Sequence, residues 1–123
     1  MKKVWIVDDD EEMTRAVKLM LQLLDCEATG YLNARTATQA LLAGKRPDLM
    51  ILDINMPEVS GLDLLEFLRR RAEWKNLPVI MLSTEAADVT VDKAMKLGAN
   101  GYVMKPVTIE ELERAVNNAL QKH

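Results

Sequence analysis

Residues 48–57 read DLMILDINMP, an unbroken apolar run that delivers one carboxylate, Asp53, to its end, with a turn just beyond it. A run of Leu, Met and Ile without polar alternation leaves neither face for water, so it predicts a central strand of a parallel sheet, covered on both sides. Asp53 then lies at the carboxyl end of that strand. Because ligands of open α/β sheets bind at this edge, Asp53 is the candidate reacting group.

Length and composition narrow the possible classes of protein. The 123 residues fit one domain spanning residues 1–123, and 16 basic against 19 acidic residues give a net charge of −3, which disfavours nucleic acid and anionic membranes as partners. We expect the single cysteine, Cys26, to be a small, partly buried core residue. No segment of the sequence resembles a signal peptide or a membrane span. With one histidine, His123, a Ser-His-Asp triad or a His-rich metal site is poorly supported. We expect a soluble cytoplasmic protein.

Strand and helix patterns alternate along the chain. Apolar runs predict strands at residues 4–7, 26–32, 48–53, 78–82 and 101–104. Apolar residues that recur every three or four positions predict the buried faces of helices within residues 13–24, 37–41, 64–72, 91–95 and 112–120. Asp9 or Asp10 is expected to cap the first helix, Ser60 and Thr108 to begin capping boxes, and Gly98 to end the fourth helix. Five alternating pairs predict a parallel sheet with helices on both faces. The triplet 69–71, all arginine, reads as a solvated helix end.

Polar residues follow four of the predicted strands. Parallel strands bring their carboxyl ends to one edge, so these residues form one constellation there: Asp8, Asp9, Asp53, Ser83 and Lys105. Packed carboxylates repel one another unless a positive charge joins them, and oxygen ligands without Cys or His favour Mg²⁺. A carboxylate nucleophile, a metal, an ammonium group and a hydroxyl are the parts that phosphoryl transfer needs, with Asp53 becoming an aspartyl phosphate.

Each of these residues also has an ordinary structural explanation. An isolated acidic run is more often a solvated helix cap, a lone Lys-Pro is usually a turn, and Ser83 could cap the loop that follows it. Tyr102 could be a half-exposed strand aromatic. Placement at one sheet edge, together with Asp53, is what favours the functional interpretation of the acidic run and of Lys105.

Four motifs together resemble the receiver domain of two-component response regulators, in the stand-alone chemotaxis-type form, over essentially the whole chain. They are the acidic pair Asp8-Asp9 after the first strand, the segment from Leu52 to Gly61, the hydroxyl of Ser83, and the segment from Gly101 to Pro106. The resemblance implies a (βα)5 flavodoxin-like fold with strand order 2-1-3-4-5. It implies a signalling switch that is not an enzyme in the ordinary sense.

The resemblance also implies roles for individual residues. Mg²⁺ is held by Asp9, Asp53 and the backbone carbonyl of Asn55, with Asp8 acting through water. Asp53 accepts a phosphoryl group from the phosphohistidine of a sensor histidine kinase or phosphotransfer protein. Lys105 and Ser83 bind the oxygens of that phosphoryl group.

Further implied features concern the switch and the partners. Pro106 follows a cis peptide bond, and Ser83 and Tyr102 change the surface of the fourth helix, fifth strand and fifth helix for a downstream protein. We expect a monomer or a weak phosphorylation-dependent dimer.

Departures from the family pattern add two hypotheses. Thr84 stands where Ala or Gly is usual, which predicts narrower and slower access to the phosphoryl site. Asn55 and Glu85 flank the site, and we expect this polar pair to permit comparatively fast self-dephosphorylation.

Two other functions share parts of this pattern. A Mg²⁺-dependent phosphatase with an aspartate nucleophile is the alternative, but it places a second Asp as general acid where this chain has Asn55, which cannot give a proton to a leaving group. A flavin carrier would need a phosphate-binding loop after the first strand, where residues 8–10, all aspartate, would repel phosphate.

Overall fold

Five strands and five helices alternate through the computed structural model, which describes residues 1–85 and 87–121. The first half comprises β1 (Lys2–Val7), α1 (Glu11–Leu23), β2 (Cys26–Tyr31), α2 (Ala34–Leu42) and β3 (Leu49–Asp53). The second half comprises α3 (Gly61–Arg69), β4 (Val79–Ser83), α4 (Asp88–Lys96), β5 (Gly101–Met104) and α5 (Ile109–Gln121). His123 lies outside the described residues.

All strand pairs are parallel, in the order β2-β1-β3-β4-β5, which confirms the predicted topology. Every residue of β3 and β4 is buried, as expected of strands covered on both faces. Val7 pairs with Leu52, and Asp53 pairs with Leu82, so the carboxyl ends of β1, β3 and β4 meet at one edge.

Helices cover both faces of the sheet. Successive residues of each strand point to opposite faces, so they pack into two separate hydrophobic cores. One core packs α1 and α5 against side chains such as Ile6, Ile51 and Ile80. The other packs α2, α3 and α4 against side chains such as Val7, Leu52 and Met81. Of the helices within the described residues, none has the length and apolar character needed to cross a membrane.

Caps at the helix ends largely match the sequence pattern. Asp10 caps α1 by accepting from two backbone amides, Ser60 forms the predicted capping box with Asp63, and Gly98 follows α4 in the left-handed region with φ 108°. Thr108 accepts from the Glu111 amide, but its hydroxyl, rather than its backbone amide, donates to the Glu111 carboxylate.

Several local expectations about the helices were wrong. The second helix begins at Ala34 because the Asn33 side chain caps it, accepting from the Thr36 amide. The predicted stripes also included Ala16 and Met95, which are exposed, and Ala72, which lies beyond the end of α3 at Arg69. A small apolar residue costs little in water, so its spacing marks a buried face less reliably than that of Leu or Val.

Arg69 is also not part of a solvated helix end. Its guanidinium donates to the carbonyl oxygens of Gly98 and Trp74 and to Oδ1 of Asn100 at 2.9–3.1 Å. Burial lowers the pKa of this arginine. A Cβ on Gly98 would meet the Arg69 side chain, so the glycine also provides the space that this contact needs. Arg69 therefore joins the end of α3 to the turn between α4 and β5.

Candidate functional site

Three aspartates form an acidic cluster at the carboxyl edge of the sheet. Asp8 follows β1 and lies beside Asp53, the last residue of β3. Asp8 is 0% exposed and Asp53 is 2% exposed, whereas Asp9 is exposed to solvent. One carboxylate oxygen from each of the three lies within 4.8 Å of the others. The next aspartate, Asp10, faces α1 as its cap.

Lys105 supplies the positive charge at this cluster. It follows β5, and its Nζ lies 3.2 Å from Asp8 Oδ2 and 3.2 Å from Asp53 Oδ1, to which it donates a hydrogen bond. Burial by itself lowers the pKa of Lys105, but the nearby Asp8 and Asp53 carboxylates outweigh it, so the pKa is raised. Lys105 therefore stays an ammonium group.

One positive group does not balance the buried carboxylates. Burial, and after it the charge of Asp8, raise the pKa of Asp53 from 3.8 to about 6, although Lys105 acts in the opposite direction. Asp8 Oδ1 accepts from the Asp10 amide at 2.9 Å. Its Oδ2 is buried and, among residues 1–85 and 87–121, has an ion-pair contact with Lys105 but no hydrogen bond.

These features fit a hard divalent cation. The donor set is entirely oxygen, one buried acceptor lacks a hydrogen bond among the described residues, and three carboxylates face a single ammonium group. Mg²⁺ prefers such ligands and keeps several waters, which leaves coordination positions for phosphate oxygens. The acidic cluster is therefore a candidate Mg²⁺ site.

Two neighbours support the backbone of the acidic cluster: Thr14, which the sequence analysis did not single out, and Gly61, the last residue of the motif that begins at Leu52. The buried hydroxyl of Thr14 donates to the backbone carbonyl of Asp8 at 3.2 Å. A Cβ on Gly61 would run into the backbone carbonyl of Asp53, so only glycine permits the start of α3 to approach this closely. Thr14 occupies a buried helix position, where a polar residue gives no apolar-spacing signal. The Gly61 contact joins residues eight apart across a turn.

The hydroxyl of Ser83 lies at the end of β4, in the strand next to that of Asp53. Ser83 is 0% exposed, and its Oγ accepts from the Glu85 amide at 2.9 Å. The Tyr102 hydroxyl donates to the Glu85 carbonyl at 2.8 Å, and Thr90 donates to the Glu85 carboxylate at 3.0 Å. Ser83 and Tyr102 are thus joined through one residue.

The remaining predicted residues surround this edge. Asn55 and Thr84 are exposed, and the Glu85 side chain, also exposed, turns toward Thr90 of α4. The peptide bond between Lys105 and Pro106 is cis, as the resemblance implied.

Residues 4–117 match the family model for the response regulator receiver domain. The chemotaxis protein CheY of Pseudomonas aeruginosa is 33% identical over 120 residues, which cover 98% of this chain and 97% of that protein. The solved structure of chemotaxis protein CheY4 of Vibrio cholerae has a TM-score of 0.88 at 30% identity, covering 98% of this chain and 99% of that one. A putative response regulator from Chloroflexus aurantiacus has a TM-score of 0.92 at 28% identity, with 98% of each chain covered.

Proposed function

The chain belongs to the response regulator receiver domain family, whose members are signalling switches, and from that premise we propose that it is switched by a phosphoryl group on Asp53. The observation that carries the proposal is the pairing of a buried carboxylate with a partly buried ammonium group: Asp53 Oδ1 lies 3.2 Å from Lys105 Nζ, beside two further aspartates. Asp53 is the one member of this cluster that ends a central strand.

The proposed donor is the phosphohistidine of a sensor histidine kinase or phosphotransfer protein. A carboxylate oxygen of Asp53 attacks phosphorus, the P–N bond breaks, and its electron pair stays on the imidazole nitrogen, which then takes a proton from water. Negative charge spreads over the phosphoryl oxygens as the bonds exchange. Lys105 neutralises part of that charge, and the Ser83 hydroxyl donates to a phosphoryl oxygen.

Asp8, Asp9, Asp53 and the backbone carbonyl of Asn55 would hold Mg²⁺, with Asp8 acting through water. When bound, the ion supplies positive charge that favours the ionised form of Asp53 and offsets charge on the phosphoryl oxygens. Asp53 must be ionised to attack, and its pKa of about 6 leaves it mostly ionised at neutral pH.

The proposed output runs through Ser83 and Tyr102. When Ser83 turns to the phosphoryl group, its bond to Glu85 is disturbed, and Glu85 is also the residue that holds the Tyr102 hydroxyl. A change at Asp53 can thereby reach the outer surface formed by α4, β5 and α5, where we place a downstream protein partner. The chain acts as one domain over residues 1–123, in the cytoplasm, without nucleic acid or membrane as a partner, and as a monomer or a weak phosphorylation-dependent dimer.

The phosphorylated state ends by hydrolysis that the chain itself assists. We propose that Asn55 and Glu85, the polar residues two positions beyond Asp53 and Ser83, permit fast self-dephosphorylation. Thr84, exposed beside Ser83, narrows access to Asp53 and slows phosphorylation by small donors.

The test is incubation with acetyl phosphate and Mg²⁺, followed by intact-mass measurement. We expect one phosphoryl adduct that disappears in Asp53→Asn and survives in Asp48→Asn, which changes an exposed aspartate just before the opposite end of the same strand. An adduct retained in Asp53→Asn would refute the assignment. Steady turnover of a phosphomonoester would instead favour an aspartate-nucleophile phosphatase.

A further inference from the structure

Glu85 is the residue on which three hydrogen bonds of the β4–α4 region converge. Its amide donates to Ser83 Oγ, its carbonyl accepts from the Tyr102 hydroxyl, and its carboxylate accepts from the Thr90 hydroxyl at 3.0 Å. The first two bonds involve Ser83 and Tyr102, the two residues of the proposed switch. The third ties the only charged group of Glu85 to α4 and has no role in the mechanism proposed above.

The bond from Thr90 places the Glu85 carboxylate at the positive end of α4. The helix begins at Asp88, and the residue before it is Ala87, which has no polar side chain to cap the helix. Thr90 is the third residue of the helix, so a carboxylate on its hydroxyl lies near the free amides of the first turn. Both the hydrogen bond and the helix dipole therefore hold this negative charge at α4.

Without the bond from Thr90, the Glu85 side chain can adopt other conformations. Glu85 is exposed and lies two residues beyond Ser83, which ends the strand next to that of Asp53. Its side chain has three rotatable bonds and samples several rotamers when nothing holds it. Some of these bring a negative charge toward the edge at which a negatively charged phosphodonor must approach the acidic cluster.

The amide of Glu85 affects Ser83 more directly. An N–H that donates to Ser83 Oγ occupies a lone pair of that oxygen and leaves the O–H free to donate elsewhere. Ser83 is buried, so water does not reach its hydroxyl to compete for that proton. Loosening Glu85 therefore also loosens the orientation of Ser83.

We propose that Thr90 is a positioning residue for phosphorylation of Asp53, acting by holding the Glu85 carboxylate at the start of α4, away from the incoming phosphodonor. The inference rests on the proposed function of Asp53. It assigns to Thr90 a role that depends on its hydroxyl and on the charge of Glu85.

The experiment measures the rate of adduct formation with acetyl phosphate and Mg²⁺ at low ionic strength in the full chain. Thr90→Val keeps the shape of the side chain and removes the hydroxyl, and we expect a rate about three- to tenfold lower, the size expected for one exposed charge a few ångströms from the reacting group. Thr90→Ser keeps the hydroxyl and should restore the rate. Urea midpoints of each variant check that the fold is intact.

Two further readouts separate positioning from a structural defect. Raising the ionic strength toward 1 M should shrink the Thr90→Val defect, because salt screens the repulsion between the freed carboxylate and the phosphodonor. Adding Glu85→Gln to Thr90→Val should recover most of the lost rate relative to Glu85→Gln alone, because the freed side chain is then neutral.

The outcomes distinguish the proposed function of Asp53 from the proposed role of Thr90. Absence of an adduct in the unmodified chain overturns the proposed function. An adduct in the unmodified chain with an unchanged rate in Thr90→Val overturns only the role of Thr90, and so does a defect that persists in Thr90→Ser, in high salt or with Glu85→Gln.

Discussion

Replacing Asp53 by asparagine keeps the shape of the side chain and removes one charge from a crowded acidic cluster. Asp53 is 2% exposed, and its pKa is about 6 when folded against 3.8 in the ordinary state. Each pKa unit corresponds to about 1.4 kcal/mol, so ionising this group in the metal-free fold costs about 3 kcal/mol at neutral pH. The asparagine oxygen can still accept from Lys105, but its two amide N–H groups need acceptors in a buried site, which offsets part of the gain. We expect Asp53→Asn to be more stable by about 1–2 kcal/mol.

The pH dependence of that difference follows from the sign of the pKa shift. Between pH 3.8 and about 6 the folded state keeps the Asp53 proton that the unfolded chain has lost, so the stability of the unmodified chain falls as the pH rises through this window. Asparagine has no proton to lose. The advantage of the variant should therefore be small near pH 4 and reach its full size above pH 6.5.

Urea titration followed by the fluorescence of the buried Trp5 and Trp74 measures the difference. With a slope of about 2 kcal/mol per molar urea, the expected gain moves the midpoint upward by roughly 0.5–1 M at pH 7.5 in EDTA. Asp92→Asn, on the exposed surface of α4, is the matched control and should move it little. Millimolar Mg²⁺ should narrow the gap, because the unmodified chain binds the ion with one more carboxylate.

The result that would refute this reasoning is a variant no more stable than the unmodified chain at pH 7.5 in EDTA. A gap of equal size at pH 4 and pH 7.5 would contradict it as well, because the gain would then come from something other than the charge of Asp53.

Three further predictions concern other parts of the chain. The double change Asn55→Ala with Glu85→Ala should lengthen the phosphorylated lifetime about three- to tenfold, read from adduct decay in Mg²⁺ after the acetyl phosphate has been removed. An unchanged or shorter lifetime contradicts the proposed role. Thr84→Ala should raise the rate of phosphorylation by acetyl phosphate about two- to threefold, whereas an equal rate would mean that Thr84 does not limit access. Arg69→Met should lower the free energy of unfolding by about 2–4 kcal/mol in urea titration, because carbonyl acceptors lose a buried donor, while Arg70→Met should change it by less than 0.5 kcal/mol.

The sequence reveals those parts of the fold that follow from burial and from the geometry of parallel strands. The apolar run through β3 determines that both faces are covered, and alternation with helices determines which strand ends meet. Asp8, Asp53 and Lys105 could therefore be placed together from the sequence, since each lies at or just after the end of a strand.

Contacts that depend on three-dimensional packing were not predictable in the same way. Arg69 lies in a run of three arginines, which is typical of a solvated surface, and only the approach of Gly98 and Asn100 makes it a buried hydrogen-bond donor. The bond between Thr90 and Glu85 spans five residues across a loop, at a spacing that corresponds to no regular element. Sequence periodicity carries no information about either contact.

The energetics of the acidic cluster explain why a switch can be built at this edge of the sheet. Asp8 and Asp53 are buried with a single ammonium between them, so the metal-free fold holds charge that favours binding a cation. Forming the aspartyl phosphate replaces the Asp53 carboxylate by a larger group with more negative charge and more acceptor oxygens. Lys105 already donates to Asp53, Ser83 ends the neighbouring strand, and the Ser83 hydroxyl is hydrogen-bonded to the Glu85 amide. In the proposed mechanism, a Ser83 hydroxyl that turns to the phosphoryl group would alter the contacts that Glu85 makes with Tyr102 and α4, and this would couple the chemistry at Asp53 to the surface of the protein.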